Sequence, residues 1–222
     1  MPRRLQLGSG GIIFHVLNRG ARRLRLFDAP DDYGAFLRCL AETKRRIPLR
    51  LLAYCIMPNH FHLVAWPARD GELAEFMHLM TGTHGRRWHI WRGSVGQGAV
   101  YQSRYKAFPV QEDRHFLVVC RYVERNALEA GLVRRAEDWP WSSLAASRDS
   151  PSTLPIDDWP VPRPPDWVTF VNEAQFAGET ARVRNAVRSG LPLGDPDWAS
   201  KTAGRLGLGG TGRRPGRPRK PR

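Results

Sequence analysis

Acidic residues are scarce in this chain: 21 Asp and Glu stand against 35 Lys and Arg, a net charge of +14. That deficit disfavours a neutral small molecule as partner and favours a polyanion, nucleic acid ahead of an anionic membrane surface. Cysteine is sparse too. Cys39, Cys55 and Cys120 are odd in number and widely spaced, so they supply neither a disulfide framework nor a zinc-type pair and read as reduced packing residues. No apolar run approaches the length of a membrane span, and Met1-Pro2-Arg3-Arg4 leads into glycines rather than an apolar signal core. The expectation is a cytoplasmic, nucleoid-associated protein without a membrane partner. At 222 residues, one domain with a tail fits better than two small domains.

What is present centres on Met57-Pro58-Asn59-His60-Phe61-His62-Leu63-Val64, within an apolar run from Leu51 to Trp66. The run reads as two strands joined by a tight Pro-Asn turn. Side chains alternate along a strand, so His60 and His62 share one face while Phe61 and Leu63 take the other. Two imidazoles side by side on a sheet make a divalent-metal site; the plainer reading is one half-buried sheet histidine with an incidental neighbour.

Ahead of this pair, residues 11–18 read as a strand ended by Asn18-Arg19-Gly20. Arg19, Arg22, Arg23 and Arg25 then form a basic loop, solvated or in contact with phosphate. A helix follows from Asp31 to Ile47, with Phe36, Leu37 and Leu40 at helical spacing before Pro48. A second helix spans about Gly71 to Trp91, and its later half mixes Arg86, Arg87 and Arg92 with Trp88 and Trp91. Cations among rings suit phosphate contacts and base stacking, although an amphipathic helix end with solvated arginines would look the same. Val100 to Val110 alternates as a strand, with Arg104 and Lys106 on one face.

A third helix starts at a plausible N-cap, Asp113, and carries Phe116, Cys120, Val123 and Ala127 in one core stripe. On the flank of that stripe sit Tyr122 and Asn126, one turn apart, bracketed by Arg121 and Arg125. A tyrosine alone at such a place is ordinarily a core-boundary residue. Together with the histidine pair it specifies a reaction. Two imidazoles and an amide oxygen can hold Mg²⁺ or Mn²⁺ and leave positions for a scissile phosphate. Free tyrosine ionises near pH 10, so metal and guanidinium charge would have to activate its hydroxyl. Attack by Tyr122 gives a covalent phosphotyrosine, which conserves the phosphoester for rejoining to another 3′-hydroxyl.

Pro58-Asn59-His60-Phe61-His62-Leu63 followed by Arg121-Tyr122-Val123-Glu124-Arg125-Asn126 resembles the paired signature of the HUH single-tyrosine transposases. More narrowly, the chain resembles the REP-associated tyrosine transposases. The stretches from Phe14 to Gly20, Tyr101 to Lys106 and Glu137 to Ser143 match in the same order, so the likeness covers about residues 10–145. It implies an α+β, ferredoxin-like domain whose antiparallel central sheet is flanked by helices. It also implies His60, His62 and Asn126 as ligands of Mg²⁺ or Mn²⁺, and Tyr122 as the nucleophile joined to a 5′-phosphate. The implied substrate is single-stranded DNA folded into hairpins of the repetitive extragenic palindrome (REP) type. Two positions depart from the family pattern: Ala127 follows the asparagine where proline is frequent, and Ala99 precedes Val-Tyr-Gln where histidine is common.

From Ser147 the composition turns proline-rich, read as an extended segment (147–200) pinned onto the 1–146 domain by Trp159 and Trp167, with a helix near Gln175 to Ser189. Arg188-Ser189-Gly190-Leu191-Pro192-Leu193-Gly194 resembles a C-terminal element of the same family. Residues 201–222 hold eight Lys and Arg and no acid, and read as a disordered basic DNA-binding tail. Within it, Arg217, Arg219 and Lys220 resemble an AT-hook core, the plainer reading being a non-specific DNA tether. The DNA-contact candidates are therefore Arg19, Arg86, Arg87, Arg104, Lys106, Arg121, Arg125, Arg217, Arg219 and Lys220. A monomer is expected. The rival readings are a domesticated, non-cutting hairpin binder and a replication-initiation or relaxase nuclease; the intact four-residue set counts against the first, and the single tyrosine, small size and missing GxxxxGK[ST] stretch against the second.

Overall fold

The computed structural model describes residues 9–149 and 154–208. Four strands, β1 (Ile13–Arg19), β2 (Arg50–Met57), β3 (His60–Trp66) and β4 (Lys106–Val110), form one antiparallel sheet in the order β2-β3-β1-β4. With α1 (Pro30–Arg46) between β1 and β2 and α2 (Glu72–Trp91) between β3 and β4, this is the ferredoxin-like arrangement. Both helices lie on one face, over Phe14, Val16, Phe61 and Leu63. The other face is covered by α3 (Arg114–Glu124) and the short α4 (Asn126–Glu129), then by α6 (Trp167–Asn172) and α7 (Ala177–Ser189). Burial on both sides explains why β2 and β3 read as nearly continuous apolar runs rather than alternating ones.

Both sheet edges are closed. Along β2, the Ile56 amide donates to the Trp141 carbonyl (2.9 Å), Trp139 Nε1 to the Ile56 carbonyl (2.9 Å), and Asp157 and Leu51 exchange bonds at 2.7 and 2.8 Å. Along β4, the Leu193 amide donates to Pro109 (2.8 Å) and the Gln111 amide to Leu193 (3.0 Å). Covered edges remove the exposed ladder that invites strand addition. The 188–194 element thus ends α7 at Gly190, whose φ of 73° suits glycine, and sends Leu193 to the sheet.

Three expectations are corrected. The strand expected over 100–110 begins only at Lys106, because the residues between Tyr101 and Lys106 outnumber those facing them on β1 and bend out of register; pairing resumes at the bridge of Tyr101 to Gly20, with the Gln102 amide donating to the Arg19 carbonyl (2.9 Å). The 147–200 segment contains α6 and α7 as well as the start of α8 (Pro196–Arg205), after α5 (Ser143–Asp149), so it is more helical than its prolines imply. Residues 201–208, expected as part of the tail, are folded: α8 continues through Arg205, and Leu206 is 8% exposed in the core beside the α1–α2 layer. A leucine so buried contributes roughly 1.5–3 kcal/mol, enough to hold a short helix that composition alone would leave unfolded. Arg217, Arg219 and Lys220 lie outside the described residues. No helix among the described residues is long and apolar enough to cross a membrane.

Candidate active site

The turn Pro58-Asn59 sets the first part of the site. Amides of Leu26 and Phe27 donate to the Pro58 carbonyl (2.8 and 3.1 Å) and that of Gly20 to Asn59 (2.9 Å), so the loop after β1 clamps the start of β3. His60 then pairs across the sheet with Arg19 and Met57, and His62 with Leu17 and Cys55. Their rings stand 5.0 Å apart on the face toward α3, as alternation requires. Each ring is held through Nδ1: His60 Nδ1 donates to Asn59 Oδ1 at 2.6 Å, and His62 Nδ1 lies 2.8 Å from His15 Nε2. Burial pulls the His60 pKa down to about 4, with the Arg19 charge adding to the effect. Burial also takes His62 well below the usual imidazole range, reinforced by His60, His15 and Arg19. Both rings are therefore neutral at pH 7, the form in which imidazole ligates metal.

The second part comes from α3. Asp113 caps it, its carboxylate accepting from the His115 amide at 2.8 Å. The core stripe is fully buried, and Glu124 anchors the far side, accepting from Ser143 Oγ and Trp167 Nε1, both at 2.6 Å. Tyr122 is left half-buried, its ring centroid 5.8 Å from that of His62 and 6.3 Å from that of His15, edge-on to both. A one-residue break at Arg125 separates α3 from α4, yet Asn126 still reaches the histidines, its side chain close enough to His60 to raise that ring's pKa against the effect of burial. His60, His62, Tyr122 and Asn126 thus converge at one end of the sheet. Two neutral imidazoles with an amide oxygen fit a divalent ion that retains open positions.

The arginines divide. Arg19 lies across from His60, and its Nε is buried with no hydrogen-bond partner among the described residues. Lys106 begins β4 opposite Leu17, on the histidine face, and is exposed, as is Arg104 just before it. Arg86 is exposed; Arg87 is exposed too but pairs with Glu42 at 2.8 Å. Trp88, expected among the stacking rings, instead packs inward with Nε1 on the Leu26 carbonyl (2.9 Å), and Arg92 bridges Asp28 and Asp32; Trp91 stays 75% exposed. Arg121 and Arg125, expected at the DNA, are engaged inside the protein instead. Arg121 is 2% exposed, stacked 3.8 Å from the Phe170 ring and bonded to the carbonyls of Glu173 and Ala174. Arg125 donates to the carbonyls of Val171 and Asn172 (2.8 and 2.7 Å). Arg125 thus satisfies C-terminal carbonyls of α6, which otherwise lack intrahelical donors, and Arg121 those of the residues that follow it.

Sequence reasoning missed two features. His15 sits on β1 with the same face parity as Arg19, a signal that strand alternation offered. The second is a groove of about 760 Å³ between Tyr122 and α7, bordered by Arg184 and Arg188; nothing local in the sequence announces it. A separate trio of metal-type donors, Asp113, His115 and Asp195, clusters within 4.8 Å, but its atoms are engaged. Asp113 holds His115 Nδ1 (2.8 Å), Arg182 donates to His115 Nε2 (3.1 Å) and Arg114 to Asp195 (3.0 Å), so the trio ties α8 and α7 to α3.

Residues 9–126, more than half of the chain, match the family model described as IS200-like transposase. A Haemophilus influenzae protein described as a REP-associated tyrosine transposase is 25% identical over 137 residues, 58% of this chain and 77% of that protein. The solved structure of a REP-associated tyrosine transposase bound to a REP hairpin superposes with a TM-score of 0.52 at 21% identity, covering 72% of this chain and 90% of that one; it shows a common fold.

Proposed function

The chain belongs to the IS200-like transposase family, and on that footing we propose that it is a REP-associated tyrosine transposase that cuts and rejoins single-stranded, hairpin-forming DNA through Tyr122. The observation that carries this reading is the convergence of His60, Tyr122 and Asn126 from three separate elements, β3, α3 and α4, with the Tyr122 ring 5.8 Å from that of His62.

In this mechanism the Tyr122 hydroxyl oxygen attacks the scissile phosphorus in line with the departing 3′-oxygen. The O–P bond to Tyr122 forms as the P–O3′ bond breaks. The tyrosine gives up its proton to solvent, and the freed 3′-oxygen takes one up, so charge and atoms balance. His60, His62 and Asn126 would hold a Mg²⁺ or Mn²⁺ ion, which would neutralise the charge that builds up on the phosphoryl oxygens. Arg19, with a free donor beside the histidines, orients the phosphate, and Lys106 and Arg104 steer the strand toward it. Since no water is consumed, a second 3′-hydroxyl reverses the step and joins a new strand. Every residue of this set comes from one chain, so the reading needs no second subunit.

The test is cleavage of end-labelled, single-stranded hairpin oligonucleotides with Mg²⁺ or Mn²⁺ supplied or chelated. The reading expects one strand-specific cut that depends on the ion and disappears in His60→Ala. Tight hairpin binding with no cut under either ion would instead support a binding-only protein.

A further inference from the structure

We propose that the groove between Tyr122 and α7 is the seat of the unpaired strand that adjoins the hairpin, with Arg184 and Arg188 as its phosphate contacts. The proposal rests on Tyr122 being the nucleophile. One wall runs from Tyr122 to Glu129 along α3 and α4, and the other is the face of α7 that carries Ala181, Arg184 and Arg188. Spacings of three and four residues put these side chains on one stripe of the helix. Alanine on that stripe leaves the width of the groove open, and its volume of about 760 Å³ is that of a ligand cleft.

The cleft is built rather than accidental. Arg121 and Arg125, flanking Tyr122, hold the connector between α6 and α7 through the carbonyls of residues 171–174. At the other end, Gly190 closes α7 and Leu193 is bonded to β4. The wall facing Tyr122 is therefore fixed at both ends relative to the sheet that carries the histidines.

Its chemistry selects the occupant. Two exposed guanidiniums face a single carboxylate, Glu129, which Arg184 meets at 3.4 Å, so the groove is net positive. Phe176, between the lining residues Gln175 and Ala177, is 74% exposed at the start of α7. A positive track with an exposed ring beside it is what a single strand uses, its phosphates on cations and a base on the aromatic face. A cleft walled by helices on both sides admits one strand, and the strand must pass Tyr122 to present its phosphorus.

The test measures affinity of the full-length protein, in chelator, for two probes: a bare hairpin and the same hairpin with single-stranded extensions. Wild type is expected to bind the extended probe at least tenfold more tightly. Arg184→Ala/Arg188→Ala should lose that gain and bind the bare hairpin as wild type does, while its salt slope on the extended probe falls by about 1.4, two single-strand phosphate contacts. Phe176→Ala should lose part of the gain without changing the slope. The proposal is overturned if the double variant keeps the gain, if it weakens both probes equally, or if wild type gains nothing from the extensions; in each case hairpin binding still stands. A wild type that binds neither probe overturns the hairpin reading along with the groove.

Discussion

His15 Nε2 lies 2.8 Å from His62 Nδ1, a contact between β1 and β3 that leaves Nε2 of His62 as the nitrogen able to face an ion. For that to hold, His62 must carry its proton on Nδ1 and donate to His15, whose own pKa burial lowers to about 3, keeping it a neutral acceptor. A ligand histidine steadied by a neighbour on its other nitrogen is more basic and better oriented. His15→Ala is expected to weaken Mn²⁺ binding about 10–100-fold, the usual cost of losing such a partner, while hairpin affinity without metal stays as in wild type. Titration calorimetry with Mn²⁺ checks it; unchanged affinity would leave His15 a packing residue.

Glu124 connects the tyrosine helix to the C-terminal segment, since its two oxygens accept from Ser143 and Trp167. Trp167→Phe keeps a ring but removes one donor from a carboxyl group that is fully buried. The loss should be about 1–3 kcal/mol, read as a midpoint shift in urea unfolding; a midpoint within error of wild type would contradict the role given to this bond.

Burial lowers the His84 pKa to about 4, and Tyr101 Oη meets its Nδ1 at 2.7 Å. The unfolded chain binds that proton near pH 6.5. The contribution of His84 to stability is thus complete above about pH 6.5 and is lost as pH falls toward about 4, on the order of 2–3 kcal/mol. His84→Gln should flatten the stability curve across that window. An equally steep fall in the variant would place the pH dependence elsewhere.

Residues 209–222 carry six Lys and Arg. Truncation after Leu208, which spares the buried Leu206, should weaken DNA binding and make its salt dependence shallower, by about 0.9 in slope for each duplex phosphate that the shortened chain leaves unneutralised. Unchanged affinity and slope would show that the tail neutralises none.

The strand–helix–strand–strand order and the two halves of the site, His60 with His62 and Tyr122 with Asn126, were legible because each depends on a local period; that the halves meet was implied by the family resemblance. Alternation put two histidines on one face, and helical spacing put Tyr122 beside Asn126 at the edge of a core stripe. What stayed hidden depends on distant partners. Arg121 and Arg125 look alike in sequence whether they meet phosphate or carbonyls fifty residues downstream. Trp88 and Trp91 look alike whether packed or exposed. Residues 201–208 read as tail because nothing local says that Leu206 has a place in the core. The groove on α7 exists only once 188–194 has returned to the sheet.

The most direct test of the account is peptide mapping of the protein after reaction with a hairpin oligonucleotide. The account predicts a nucleotide mass on the peptide containing Tyr122, as a phosphotyrosine ester, absent in Tyr122→Phe and absent when Mg²⁺ and Mn²⁺ are chelated. A DNA adduct on a different residue, or one that persists in Tyr122→Phe, would contradict it.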